Sequence, residues 1–385
     1  MDFLPRSLGT RPRLACEVRA EGVVAARAED ASAVLSAVAR VPLADQIVLP
    51  HPQGEADSAS TAGVGGDASG RAAIVAAVRK ALEAVSLRSR EVTLIVPDAA
   101  VRVLLLDFDE LPAKPIEALP VVRFRLKKLL PFDADDAAVS YQVMATAKDS
   151  IQVLAVAMPR QLLDDYESVV REAGFEPGAI LPSTLAALAG LPVEESPALV
   201  VNAGREGVTT AIVKAGVLLL HRTVDLGADM RADAAAAQLA AIAVQAPPAE
   251  SEQWQRRESA SFNEQNDSAA AIEAASLAQE IVQEVAQEIA AERSLTETAS
   301  EVAQAVSVAA AYFEDTLQLP PSAIHAAGTL GAATLSALLG EARVGPLAVH
   351  EMLHSQMLGA GATSAGTPSG VPLGWLAGVR GALAN

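Results

Sequence analysis

Leu199-Val-Val-Asn202-Ala-Gly204-Arg-Glu-Gly207-Val-Thr209-Thr210-Ala-Ile-Val-Lys214-Ala-Gly216-Val-Leu-Leu-Leu-His221-Arg-Thr-Val-Asp225-Leu-Gly227 is the stretch whose reading decides the fold. Its apolar, β-branched runs are short, and glycine punctuates them at Gly204, Gly207 and Gly216, which favours a strand meander over a helix. The expected elements are a buried strand over Leu199–Val201, a turn carrying Gly204 and Gly207, and a strand over Val208–Val213. A tight turn at Lys214-Ala215-Gly216 and a third strand over Val217–Val224 complete the unit.

The chain around it has 385 residues, enough to bury large cores in about two domains. Apolar residues make up 51% of it but aromatics only 3%, so Ala, Leu and Val must build those cores. A net charge of −18 argues against sequence-independent nucleic-acid binding, whose phosphate contacts need Lys and Arg. The single Cys16 excludes an internal disulfide framework and fits a reducing compartment. The N-terminal residues lack the apolar run of a signal peptide, and no apolar run of 18 or more residues is free of charge, so no spanning helix is expected. The expectation is a soluble cytoplasmic protein.

Arg13–Val18 and Gly22–Ala28 read as two strands joined by a turn at Ala20-Glu21. His51–Gly70, rich in Gly, Ser, Ala and Asp, is a linker or mobile loop. A helix over Arg71–Ser86 follows, with Ile74, Val78 and Leu82 at i, i+4, i+8. Val92–Val96 is a strand ending in Pro97-Asp98, and Val101–Asp107 and a Leu111-Pro112 turn lead to a helix over Pro115–Leu130. Ala138–Ala145 and Ile151–Met158 are strands; Gln161–Ala173 and Ala179–Leu191 are helices. Arg123, Arg125, Lys127 and Lys128 form either a solvated helix face or a docking edge for an acidic partner or a membrane surface. Beyond Gly227, Ala228–Val244 is alanine-rich and Ala246–Ser268 reads as a disordered excursion. Ala270–Arg293 and a second helix to Leu317, with Val302, Val306, Ala310 and Phe313 on one face, are core-facing or form a partner-binding pair. Ile324–Gly331 is a strand and a Gly turn leading into a helix over Ala332–Leu339.

The ordered segments Leu94-Ile-Val-Pro-Asp98, the Leu111-Pro112 turn, Arg123-Phe-Arg-Leu-Lys-Lys-Leu-Leu-Pro-Phe132, Tyr141-Gln-Val143, Val153-Leu-Ala-Val-Ala157 and Glu172-Ala-Gly-Phe175 resemble the PilM family of type IV pilus assembly proteins. That family belongs to the actin-like ATPase superfamily and is related to FtsA. The resemblance covers most of residues 13 to 345. It implies an α/β, duplicated actin-like (ribonuclease-H-like) fold. Residues 1–195 would be the first half, with a small inserted subdomain at about 100–175, and 196–345 the second half, with a disordered or helical insertion at about 228–300. Residues 346–385 would add a C-terminal helix, a Gly/Ser-rich loop and a tail helix.

The resemblance also implies a nucleotide site. Phosphates in this superfamily are received by two hairpins, which places ATP contacts at Gly204, Gly207, Thr209, Thr210 and Gly328. The first hairpin's Asp-x-Gly is Glu17-Val18-Arg19 here, and the acidic residue of the second is Asn202. Arg19 puts a side chain where backbone should approach a phosphate, and Asn202 loses the acid that positions magnesium and water. The expected protein is a pseudo-ATPase scaffold that binds no cofactor, or holds ATP and magnesium without efficient turnover. Its implied partners are the N-terminal peptide of a PilN-like inner-membrane protein and pilus motor ATPases, with no nucleic acid and only indirect membrane contact at the inner membrane. The alternative within the superfamily is an active, filament-forming ATPase.

A competing chemistry is His350-Glu351-Met352-Leu353-His354, which matches the zinc-peptidase pattern. On a helix begun by Pro346, His350 and His354 would share a face and Glu351 would serve as general base. A catalytic zinc needs a third ligand, and Ser355–Asn385 contains no His, Asp, Glu or Cys. The same segment therefore also reads as a plain surface helix.

Overall fold

The structure is a computed structural model that describes residues 12–30, 33–44, 47, 49, 64, 68–226, 298–341, 347–359 and 372–384. The expected linker at 51–70, apart from 64 and 68–70, and the insertion at 228–297 lie outside the described residues.

The first half is a five-stranded sheet. A meander of β1 (Leu14–Arg19), β2 (Gly22–Ala28) and β3 (Leu35–Pro42) is extended by β4 (Glu91–Val96) and β8 (Glu176–Pro182), in the order β3-β2-β1-β4-β8. The meander pairs are antiparallel, and β1-β4 and β4-β8 are parallel. The two-residue side-chain period of a strand sorts β1 cleanly. Leu14, Cys16 and Val18 enter a core with helices α1 (Ala68–Val85) and α3 (Arg160–Glu172), while Ala15 joins a second core on the opposite face. Because helices cover both faces, the strands read as continuous apolar runs without polar alternation.

The second half repeats the first. The meander of β9 (Ala198–Ala203), β10 (Gly207–Lys214) and β11 (Val217–Asp225) is extended by β12 (Ala323–Ala327) and β13 (Ala348–Glu351), in the order β11-β10-β9-β12-β13. Parallel and antiparallel pairs fall in the same places as in the first sheet. Residues 302–317 form helix α5, which buries Val302, Val306, Ala309 and Phe313. Helix α6 (Gly331–Glu341) follows β12. A third, three-stranded sheet is inserted between β4 and β8: β5 (Arg102–Phe108), β7 (Ser150–Pro159) and β6 (Ala137–Ala147), in that order. Helix α2 (Pro115–Leu126) lays Ala118, Val122 and Leu126 on it.

Three expectations change. The helix expected over Ala179–Leu191 is two elements: Ala179–Pro182 pairs with β4 as the end of β8, and α4 (Ser183–Ala189) follows. Pro182 marks the boundary, since its ring suits a helix entrance but not an interior. The helix expected from Pro346 is strand β13, whose Ala348–Glu351 pair in register with β12. β3 was not anticipated at all. Only Leu35 and Val38 of this edge strand are buried, and Ala and Arg dilute its apolar signal.

All three sheets belong to one unit, residues 1–225 and 302–385; residues 226–301 form another. Two helices connect the halves of the first unit. α4 leads from β8 into the second sheet, and α7 (Leu376–Leu383) returns from the second to pack on α4, β1 and β2. They cross so closely that a Cβ at Gly381 would stand 1.9 Å from the Ala186 carbonyl oxygen. Trp375 at the head of α7 is buried under the Arg40 guanidinium, 4.8 Å from the ring centre. Gly381→Val must push the helices apart, and overpacking of this kind costs about 1–3 kcal/mol. A urea titration should show the loss as a lower midpoint; a variant as stable as the parent would contradict the crossing.

Candidate functional site

The duplicated topology brings the β1-β2 and β9-β10 hairpins to one cleft, where β4 also ends. Arg19 closes β1 and projects into the cleft. Its Nε donates to Glu17 Oε1 at 2.6 Å, and its Nη2 donates to Ser183 Oγ at 2.5 Å and Asn202 Oδ1 at 2.7 Å. Ser183 also donates to Glu17 Oε1 at 2.7 Å. Asn202, next to last in β9, turns its Nδ2 toward Thr184 Oγ1 (2.9 Å), Ser183 Oγ (3.0 Å) and Asp98 Oδ2 (3.3 Å). Asp98 in turn accepts from the Thr184 N–H at 2.9 Å and from its hydroxyl. The network ties the first sheet, the start of α4 and the second sheet together through buried polar groups.

Glu21, at the tip of the β1-β2 turn, makes a second tie. Its Oε1 accepts the Arg205 N–H at 2.6 Å and the Thr329 hydroxyl. Arg205 returns a bond from Nη2 to the Ala20 carbonyl at 3.0 Å. A carboxylate from one half is thus held by a backbone N–H and a hydroxyl from two loops of the other, donors that equally suit a phosphate oxygen.

The electrostatics follow from this arrangement. The side chains of Arg19 and Glu17 are only 12% and 1% exposed. Burial works against charge on Arg19, but Glu17, Glu21 and Asp98 outweigh it and hold the guanidinium pKa above its ordinary value. Burial likewise works against charge on Glu21, yet Arg19, Thr329 and the Arg205 N–H outweigh it and lower the carboxyl pKa.

Of the residues expected to contact ATP, Gly204, Gly207 and Thr209 line the cleft beside Arg19 and Asn202. Thr209 also bonds Thr223 across the hairpin at 3.0 Å. Thr210 does not line it: successive strand residues face opposite sides, so its buried hydroxyl points away. Gly328 lies behind the cleft floor, with φ +89° and its Cα against Ala203 and Asn202 Oδ1, where a Cβ would clash at 2.4 and 2.5 Å. The cavity left between these groups is about 50 Å³, against roughly 300–1,000 Å³ for ordinary small-molecule pockets. Glu21, Asp98, Ser183 and Thr184 were not anticipated as site residues. An acid in a two-residue hairpin turn, two positions from an arginine, was the one local sign of Glu21.

The zinc-peptidase geometry is not formed. On a strand, His350 and Glu351 face opposite sides, and His350 lies in register with His325. Glu351 instead accepts the Ala332 N–H at 2.8 Å, satisfying a free backbone donor at the start of α6. Among the described residues, no group of three or more His, Cys, Asp and Glu is placed to hold a metal ion.

Two like sheets, each with a hairpin turned to a shared cleft and joined by crossing helices, define the duplicated actin-like architecture. Among solved structures, a chain of the PilM–PilN type IV pilus biogenesis complex matches with a TM-score of 0.62 at 17% identity, over 97% of this chain and 97% of its own. The two share a fold, as the ordered sequence segments implied. Ethanolamine utilization protein EutJ from Carboxydothermus hydrogenoformans matches more loosely, with a TM-score of 0.42 at 11% identity over 100% of this chain and 94% of its own. No family model matches the sequence, and no curated protein is significantly similar to it.

Two substitutions read out the network. Arg19→Ala strands Glu17 in the interior, and breaking one partner of a buried pair costs about 3–5 kcal/mol; chemical denaturation at neutral pH should show a loss of that order. Glu21 has a folded pKa below its ordinary 4.5, so its stabilisation is complete above that value and fades as pH falls through the folded pKa. The parent should exceed Glu21→Gln by about 2 kcal/mol at pH 7, the scale of a hydrogen bond to a charged group. That gap should narrow as pH is lowered from 4.5 through the folded pKa, and a gap independent of pH would contradict the assignment.

Proposed function

We propose that the chain is a cytoplasmic actin-like adaptor of a type IV pilus or type II secretion inner-membrane platform. It docks the N-terminal tail of a PilN-like membrane protein and works with pilus motor ATPases without turning over nucleotide itself. The fold shared with the PilM–PilN complex makes a PilN-like partner the first to consider.

The observation that carries the reading is a groove of about 350 Å³ between the small sheet and the first sheet. It is lined by Val139 and Ser140 of β6, Met158 of β7, Leu163 of α3, and Ala179 and Ile180 of β8. β6 and β8 are both the outermost strands of their sheets. An extended peptide can add its backbone to such an edge and place alternate side chains in the apolar groove. Among the described residues no helix is long and apolar enough to cross a membrane, which fits attachment through a partner's tail.

A degenerate nucleotide site belongs to the same reading. The residues present do not fit a nucleoside triphosphate with magnesium. Arg19 fills the position of a close backbone approach, Glu21 holds the donors a phosphate would use, and the second hairpin offers the amide of Asn202 in place of a carboxylate.

The test is fluorescence anisotropy with a labelled synthetic peptide of a PilN homologue's N-terminal tail. Saturable binding is expected, and Ile180→Ser should weaken it about tenfold, the effect of losing about 1.4 kcal/mol of apolar contact. Binding unaffected by Ile180→Ser, or no binding to a folded chain, would sink the proposal.

A further inference from the structure

Helix α2 carries two apolar stripes. Ala118, Val122 and Leu126 are buried on the small sheet. Ile116, Pro120 and Phe124 repeat the same four-residue spacing two positions earlier, which puts them on nearly the opposite side of the helix. Ile116 is 82% exposed and Phe124 69%, and exposed Val121 and Leu129 extend the stripe. This is not how the chain finishes its other helices. The outward positions of α3 are Arg160, Gln161, Asp164, Arg171 and Glu172. An outward stripe of large apolar side chains marks a second contact surface.

Charge says what kind. Residues 114–128 hold five cations and one acid, Glu117, in a chain of net charge −18. Arg123 is spent on the Ala134 and Ala137 carbonyls, Lys127 on Asp135 and Lys114 on Glu117. Arg125 and Lys128 flank the stripe, exposed and in no ion pair among the described residues. Long cationic side chains beside an aliphatic-and-aromatic ridge match the boundary between anionic headgroups and acyl chains. There the ridge enters and the cations stay at the surface.

We propose that the outer face of α2 is a peripheral contact for an anionic phospholipid surface, with Ile116 and Phe124 inserting and Arg125 and Lys128 pairing with headgroup phosphates. This is direct membrane contact, independent of any tail docked in the groove and of the adaptor reading.

The test is flotation of the full chain with vesicles of phosphatidylcholine alone or mixed with phosphatidylglycerol. The parent should float with the mixed vesicles and lose binding as salt rises. Each surface cation is worth about 1 kcal/mol, or about fivefold in partitioning, so Arg125→Ala with Lys128→Ala should lower binding about 25-fold. Ile116→Ser with Phe124→Ser should remove the part that persists in high salt. All four side chains are exposed, so the variants should melt with the parent, and a folded variant that floats undiminished overturns the proposal. A parent chain that stays behind with both vesicle types also overturns it, leaving an acidic protein as the occupant of this face.

Discussion

A buried guanidinium organises this molecule. Arg19 leaves the first sheet, crosses the cleft between the two hairpins and ends between Glu17, Ser183 and Asn202. Isolated in a low-dielectric interior, that charge would cost several kcal/mol, so the surrounding acceptors are a condition of its being there. Those acceptors come from β1, the head of α4 and the end of β9, the three places where the halves of an actin-like fold approach each other. Glu21 closes the same cleft from its rim, through Arg205 and Thr329.

In an actin-like ATPase the charge that joins the halves belongs to a nucleotide and its metal. On the proposed reading the chain has brought both signs of that charge inside itself, a cation at position 19 and a carboxylate at 21. Closure would then be a property of the polypeptide, held whatever the nucleotide supply. α4 and α7 cross in close backbone contact at Gly381. The groove beside the small sheet and the outer face of α2 lie on that scaffold.

Much of the architecture could be read from the chain. The Gly-punctuated run from Leu199 to Gly227 is the β9-β10-β11 meander, and the ordered segments from Leu94 to Phe175 locate the small sheet. Buried strands announce themselves by continuous apolar, β-branched residues. Errors came where that signal is shared or diluted. Ala179–Pro182 joins smoothly to an apolar helix, and His350-Glu351 opens a motif whose chemistry presumes a helix. Strand β13 is set by its pairing with β12, which local periodicity does not carry. Of the cleft residues, Gly204, Gly207 and Thr209 were legible through the resemblance, and Arg19 and Asn202 as departures from it. What fills the cleft depends on Glu17, Ser183 and Asn202 meeting across up to 185 positions of sequence, and no spacing rule reports that.

The central claim is that the cleft is filled by the protein's own side chains. Calorimetric titration of the purified full chain with ATP and magnesium tests it most directly. The account predicts no saturable heat at high protein concentration. Saturable binding near one nucleotide per chain would contradict it, because Arg19 and Glu21 would then have to leave the places on which the rest of the cleft depends.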